Sequence, residues 1–182
     1  MHITRLIVVL PLLALAQFAA AAQMESFKTG PVFNDFGATA PVQQSQPVAT
    51  DTVFKIAFDV SKSAEPDKLS RSIESAARFI NMQVAAGVSL DNIHLAVVVH
   101  GGASLDVSNQ VFFAANKDGQ KNASAKAIAQ LQEKGVEFYL CGQSAAANGI
   151  SNADMLPGVK MALSAMTTHA LLQQQGYTIN PF

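Results

Sequence analysis

The chain has 182 residues, of which 49% are hydrophobic and 14% charged, with a formal net charge of −1. That balance is globular rather than disordered and is enough for one well-filled core. With no Lys/Arg cluster there is no landing surface for nucleic acid or an anionic membrane, and with one cysteine there is no internal disulfide framework.

Residues 1–22 read as a secretory signal peptide. Arg5 supplies the positive start, Leu6 to Ala16 the apolar run, and Ala20-Ala21-Ala22 a small-residue cleavage site before Gln23. The apolar run is short for a spanning helix, which needs about 20 residues. Cleavage removes Arg5, leaves 11 basic and 13 acidic residues of the original 12 and 13, and shifts the net charge from −1 to −2. The expected location is periplasmic or secreted, with no membrane attachment after cleavage.

Residues 23–51 form an atypical arm. Pro31, Pro41, Pro47 and the run Gln43-Gln44-Ser45-Gln46 suit an extended segment. Phe27, Val32, Phe33 and Phe36 require that its first half docks on the chain's own domain or on a neighbouring subunit.

Residues 52–182 show regular patterning. Val53 to Val60 is a strand with apolar residues on both faces. A helix starts at Pro66, carries Leu69, Ile73, Ala76, Ala77, Ile80 and Val84 on one stripe, and stops at Gly87. Ile93 to Val99 is a second buried strand. Asn122 caps a helix that runs through Ile128 and Leu131 to Gly135. Val136 to Leu140 is a third strand, Ser144 to Asn148 a short helix and Val159 to Leu163 a fourth strand. Thr167 to Gln175 is a last helix, followed by a short strand or tail at Tyr177 to Ile179. The alternation predicts a small three-layer α/β domain, with a mostly parallel sheet of four or five strands and helices on both faces.

In such sheets, ligands bind at the carboxyl ends of the strands. Asp59, His100, Cys141 and Ser164 all fall there. Cys141 also sits at a strand-to-helix junction, where N–H groups and the helix dipole favour a thiolate. The N–H groups of Gly142, Gln143 and Ser144 follow it, and Gly101-Gly102 either brings N–H groups to an anion or makes a tight turn. His100 is a candidate proton donor or acceptor for Cys141. His94 begins its strand on the opposite edge and reads as structural, and a metal role for His169 has little support. Asn122-Ala123-Ser124 matches a glycosylation sequon but is more simply a helix cap. The chain has neither zinc-ligand spacing, a dinucleotide fingerprint nor a P-loop, so no cofactor is implied. Gly142-Gln143-Ser144-Ala145-Ala146 is close to an esterase nucleophile elbow, with His169 as base and Asp154 between them. Its 25-residue separation of Ser144 from His169 is too tight for that architecture.

The run Cys141-Gly142-Gln143-Ser144-Ala145-Ala146-Ala147-Asn148-Gly149-Ile150 resembles the cysteine segment of the DsrE/DsrF-like sulfur-relay family. The closing Gly158 to Ala165 and Leu171 to Tyr177 resemble that family's last strand, last helix and Gly-Tyr ending. The resemblance implies a small α/β fold, assembly as a homo-oligomer (trimer or hexamer), and a persulfide on Cys141 passed between sulfur donor and acceptor proteins. Two features differ from the relay members: the export signal, and alanine and asparagine where basic residues often follow the cysteine. The expected function is therefore an exported sulfur carrier, sulfurtransferase-like, or a thiol redox protein. The alternative is a non-catalytic oligomeric ligand-binding or assembly module in which the cysteine is structural.

Overall fold

The computed structural model describes residues 26–181, so the signal-peptide reading of residues 1–22 lies outside them. Elements are numbered here within that range. Five strands form one sheet: β1 (Phe54–Val60), β2 (Ile93–Val99), β3 (Glu137–Cys141), β4 (Val159–Ala162) and β5 (Thr178–Asn180). Their order is β4-β3-β2-β1-β5. Every neighbouring pair is parallel. The helices are α1 (Arg71–Ala85), α2 (Gln110–Asn116), α3 (Ala125–Glu133), α4 (Gly142–Ala147) and α5 (Ala165–Gln174).

The strand sequences explain the layering. Val97, Val98 and Val99 of β2 are buried on both faces, as expected for a central parallel strand. Period-2 alternation sends Ile56, Phe58, Val60, Leu95, Val97, Val99, Phe138 and Leu140 into the larger core with α1 and α3. It sends Ala57, Ala96, Val98 and Cys141 to the other face, under Ala165 and Leu172 of α5. The small residues on that second face let a single helix lie close to the sheet.

Beyond shifts of one or two residues at the ends of β1, β3, β4, β5, α4 and α5, three features differ from the sequence expectations. The first helix begins at Arg71, not at Pro66, because Ser70 is its cap and accepts the Ile73 N–H at 3.5 Å. The cap of α3 is Ser124 rather than Asn122. The Asn122 Nδ2 donates to the carbonyls of Asp106 and Ser108, both at 2.9 Å, and its Oδ1 accepts the Ser124 N–H at 3.1 Å, so the side chain ties the loop to the helix start. That commitment of Nδ2 also argues against the glycan reading of the sequon. Between β2 and α3 lie a 3-10 segment, Gly101–Val107, and α2, capped by Asn109; no element had been expected there. Only Phe113 of α2 is buried, which leaves almost no periodic signal to read.

The described part of the arm docks on its own domain. Phe33 and Phe36 enter the main core with ring centroids 5.0 Å apart. Asn81, on the buried face of α1, joins the arm to the helix. Its Oδ1 accepts the N–H groups of Val32 and Phe33 at 3.0 and 2.9 Å. Its Nδ2 donates to the carbonyls of Phe33, Phe36 and Gly37. Gly37 has φ +72°, and a Cβ there would lie 2.9 Å from the Ala77 methyl, so only glycine lets the arm pass α1 this closely.

Replacing Asn81 by alanine strands one buried and one part-buried N–H group and the carbonyls they share it with. Asn81→Ala is expected to lower unfolding stability by about 2–4 kcal/mol, read from the denaturant midpoint at unchanged m-value.

Candidate functional site

Parallel register brings the chemistry-bearing residues to one corner of the sheet. Val98 pairs with Asp59 on one side and with Tyr139 on the other, and Val99 pairs with Leu140. One step beyond that last pair come His100 and Cys141. Asp59, His100 and Cys141 therefore follow one another on three adjacent strands, on the face covered by α5.

Cys141 is 6% exposed and packs with Ala57, Ala96, Val98, Ala165 and Leu172. Burial pushes its thiol up, the largest single influence. The Ser144 hydroxyl and the backbone N–H groups of Ser144, Ala165 and Gln143 more than offset it, and the thiol lies below its ordinary value. The chain turns from β3 into α4 at Cys141 and from β4 into α5 at Ser164, so two separate turns aim N–H groups at one sulfur. Gly142 makes this approach feasible, because any Cβ at that position would collide with the Ala162 carbonyl oxygen.

Ser144 is the pivot of the arrangement. Its hydroxyl hydrogen-bonds the sulfur and accepts the Gly101 N–H at 3.0 Å. The Gly101 N–H is thereby used to hold Ser144, and the carbonyl of Gly102 takes the Ser63 hydroxyl. Gly101 and Gly102 open the 3-10 segment Gly101–Val107. Gln143 is exposed and its amide donates to the Leu163 carbonyl at 3.2 Å. Ser164 caps α5, accepting the Thr167 N–H at 3.0 Å, so its hydroxyl is engaged in the fold.

Asp59 holds two imidazoles. His169 Nε2 lies 2.7 Å from Oδ1, and His100 Nε2 lies 3.1 and 3.2 Å from the two carboxylate oxygens. Burial pushes the Asp59 carboxyl up, but the hydrogen bonds and charges of His169 and His100 outweigh it and hold the carboxyl below its usual range. An ionised carboxylate only accepts, so both Nε2 atoms carry their protons and Nδ1 is each ring's basic nitrogen. His169 Nδ1 is buried without a partner. His169 is the site residue that sequence reading missed: its position on α5 showed only a half-buried face, and nothing local marked its pairing with a residue 110 positions away.

These contacts remove the esterase arrangement. Asp154 is bound to Ser151 in a capping box, and His169 is bound to Asp59 instead. His94 lies at the far end of β2 and is exposed. Among the described residues no group of three or more His, Cys, Asp or Glu side chains is placed to hold a metal ion. No described helix is long and apolar enough to cross a membrane.

The family model of the DsrE/DsrF-like family matches residues 55–181. The chain belongs to the DsrE/DsrF-like family. No curated protein matches it. Among solved structures, this DsrE-like chain is similar to MTH1491 from Methanobacterium thermoautotrophicum, described as a protein of unknown function. The TM-score is 0.54 at 18% identity, over 71% of this chain and 99% of that one. The YchN protein from E. coli is also similar, with a TM-score of 0.46 and 15% identity over 71% of this chain and 100% of that one. At such identities the likeness to MTH1491 speaks for the fold, and the DsrE-like five-strand parallel sheet is what the two have in common.

Ser144→Ala removes one hydrogen bond to the sulfur and frees the Gly101 N–H. The pH midpoint of Cys141 alkylation is expected to rise by about one pH unit, the equivalent of one charge-assisted hydrogen bond. Rates of iodoacetamide labelling across pH on the folded protein measure it.

Proposed function

We propose that this DsrE-like protein is exported and that Cys141 is a sulfur carrier. The observation that carries the reading is the convergence of three N–H groups and one hydroxyl on the sulfur, which keeps a mostly covered thiol below its ordinary value. The Cys141 thiolate attacks the outer sulfur of a donor persulfide R–S–SH. The new bond joins the two sulfurs, the donor's S–S bond breaks, and R–S⁻ leaves and takes up a proton. Cys141 then holds a persulfide, with no net oxidation. In this reading His100, half-buried and held by Asp59, exchanges that proton with solvent. Transfer to an acceptor thiol runs the same step in reverse.

One observation favours a second reading. Cys141 packs among alanines and valines in the smaller core, as an inert cysteine does. In that case the protein is an oligomeric binding or assembly module and the cysteine is structural.

Incubation of the folded protein with a sulfane-sulfur donor separates the two. Sulfur transfer gives a +32 Da adduct on Cys141 that reductant removes, and none in Cys141→Ser. A thiol that stays unlabelled until denaturation, together with a Cys141→Ala variant of unchanged biological effect, leaves the structural reading standing.

Export rests on the pattern of residues 1–22. Expressed with its full N-terminus in a bacterial host, the protein is expected in the periplasmic fraction with a mature N-terminus at Gln23, read by intact mass. An unprocessed cytoplasmic product overturns it. The homo-oligomer belongs to the same proposal; light scattering on the mature chain is expected to give the mass of a trimer or hexamer.

A further inference from the structure

Away from the thiol, a cavity of about 150 Å³ lies between the loop after β1 and the connection from α2 to α3. It shares no residue with the groups that hold Cys141. Its buried charged residue is Asp106, 1% exposed, near the end of the 3-10 segment, with the buried Asn122 and Ser124 also in the lining. Among the described residues the donor to its carboxylate is the Ala64 N–H, 2.8 Å from Oδ2. A carboxylate has about four acceptor positions, so one with a single N–H partner has positions open to further donors. Phe113 and Ala64 give the cavity an apolar wall. Lys117 and Lys121 stand at its lining, and neither joins an ion pair among the described residues.

We propose that this cavity is a second ligand site, taking a small amino-acid-like zwitterion whose ammonium lies on Asp106 and whose acid group meets Lys117 and Lys121. Size and charge pattern both select the class. A cavity of about 150 Å³ holds a molecule of roughly benzene size. The ammonium supplies the donors that the carboxylate lacks, and the two lysines supply the opposite charge for the acid group. A simple anion leaves Asp106 unmet, and a simple amine leaves the lysines unmet.

Retaining such a carboxylate costs stability. Burial raises the Asp106 carboxyl from 3.8 to about 6, against smaller opposing effects of the Ala64 N–H and the Lys117 charge. The folded protein thus holds the Asp106 proton more tightly than the unfolded chain. The stability gained is full below pH 3.8 and is lost as pH rises through about 6. The other titratable groups facing the cavity are Glu65, Asp67 and Lys68 from the loop, with Glu65 and Lys68 paired at 2.7 Å. At neutral pH the ionised Asp106 is a net burden on the fold, a common mark of a group kept for binding.

Glycine, alanine and serine, with methylamine and acetate as single-charge controls, are titrated into the mature chain at neutral pH. Thermal shift and backbone amide NMR are the readouts. At least one zwitterion is expected to raise the melting temperature saturably and to move the amides of Ala64 and Ala123, with both controls weaker by about tenfold or more. Asp106→Asn is expected to raise the ligand-free melting temperature and abolish the ligand-induced rise. If that variant fails to fold, Lys117→Ala with Lys121→Ala is expected to weaken binding by about tenfold. The proposal is overturned if no zwitterion acts saturably at millimolar concentration, if acetate or methylamine binds equally well, or if the shift survives these substitutions. Because Cys141 is untouched, persulfide formation is unaffected by either result.

Discussion

The arrangement around the thiol depends on the contact between Gly142 and the backbone at Ala162. Neighbouring strands of a parallel sheet lie about 4.8 Å apart, and a side chain on the residue after β3 would wedge their ends open. Without a Cβ, the turn into α4 sits against the end of β4. The turn into α5 then delivers the Ala165 N–H to the same sulfur that the Gln143 and Ser144 N–H groups reach from α4. The six-residue α4 has a small dipole of its own, and the direct hydrogen bonds are what hold the thiol down. The geometry is also self-supporting, since Gly101 fixes Ser144 from the end of β2. Three strand ends thus contribute to one sulfur environment.

The neighbouring Asp59 cluster follows a different logic. One carboxylate shared by two imidazoles fixes the orientation of both rings, and it ties α5 to β1 and to the loop after β2. It therefore positions the helix that supplies the Ala165 N–H as well as the histidine nearest the thiol along the sheet edge. Asp59 is thus a structural tie between β1, α5 and the loop after β2. That explains a charged residue on a face otherwise built from alanine and valine, where an unpaired carboxylate would be costly.

The sequence was most legible where period and composition agree. The runs of β1 and β2 contain apolar residues on both faces, and those strands were placed within a residue of their observed limits. The small-residue start after Cys141 marked the strand-to-helix turn. Reading failed where tertiary contacts decide. Pro66 has good local credentials for a helix start, yet Ser70 wins because Ser124 holds its N–H and its own hydroxyl caps Ile73. The 3-10 segment after His100 reads as a glycine loop, since its order comes from Ser144, Ser63 and Asn122. His169 carries no local sign of its partner, and only the fold brings α5 over Asp59. The arm was legible as a docking segment from Phe33 and Phe36. Its acceptor was not, because a buried asparagine on a helix stripe gives no hint that five hydrogen bonds with the arm converge on it.

Burial and a lowered thiol pKa are opposed tendencies, and both are present at Cys141. Removing a sulfur from water disfavours its charged form, whereas a carrier needs the thiolate as nucleophile and a shield against adventitious oxidation. Backbone N–H groups reconcile the two, because they stabilise the charge by direct hydrogen bonds within a packed setting. A thiol activated by an adjacent imidazolium would lose that help as the ring deprotonates; one activated by N–H groups keeps it across pH.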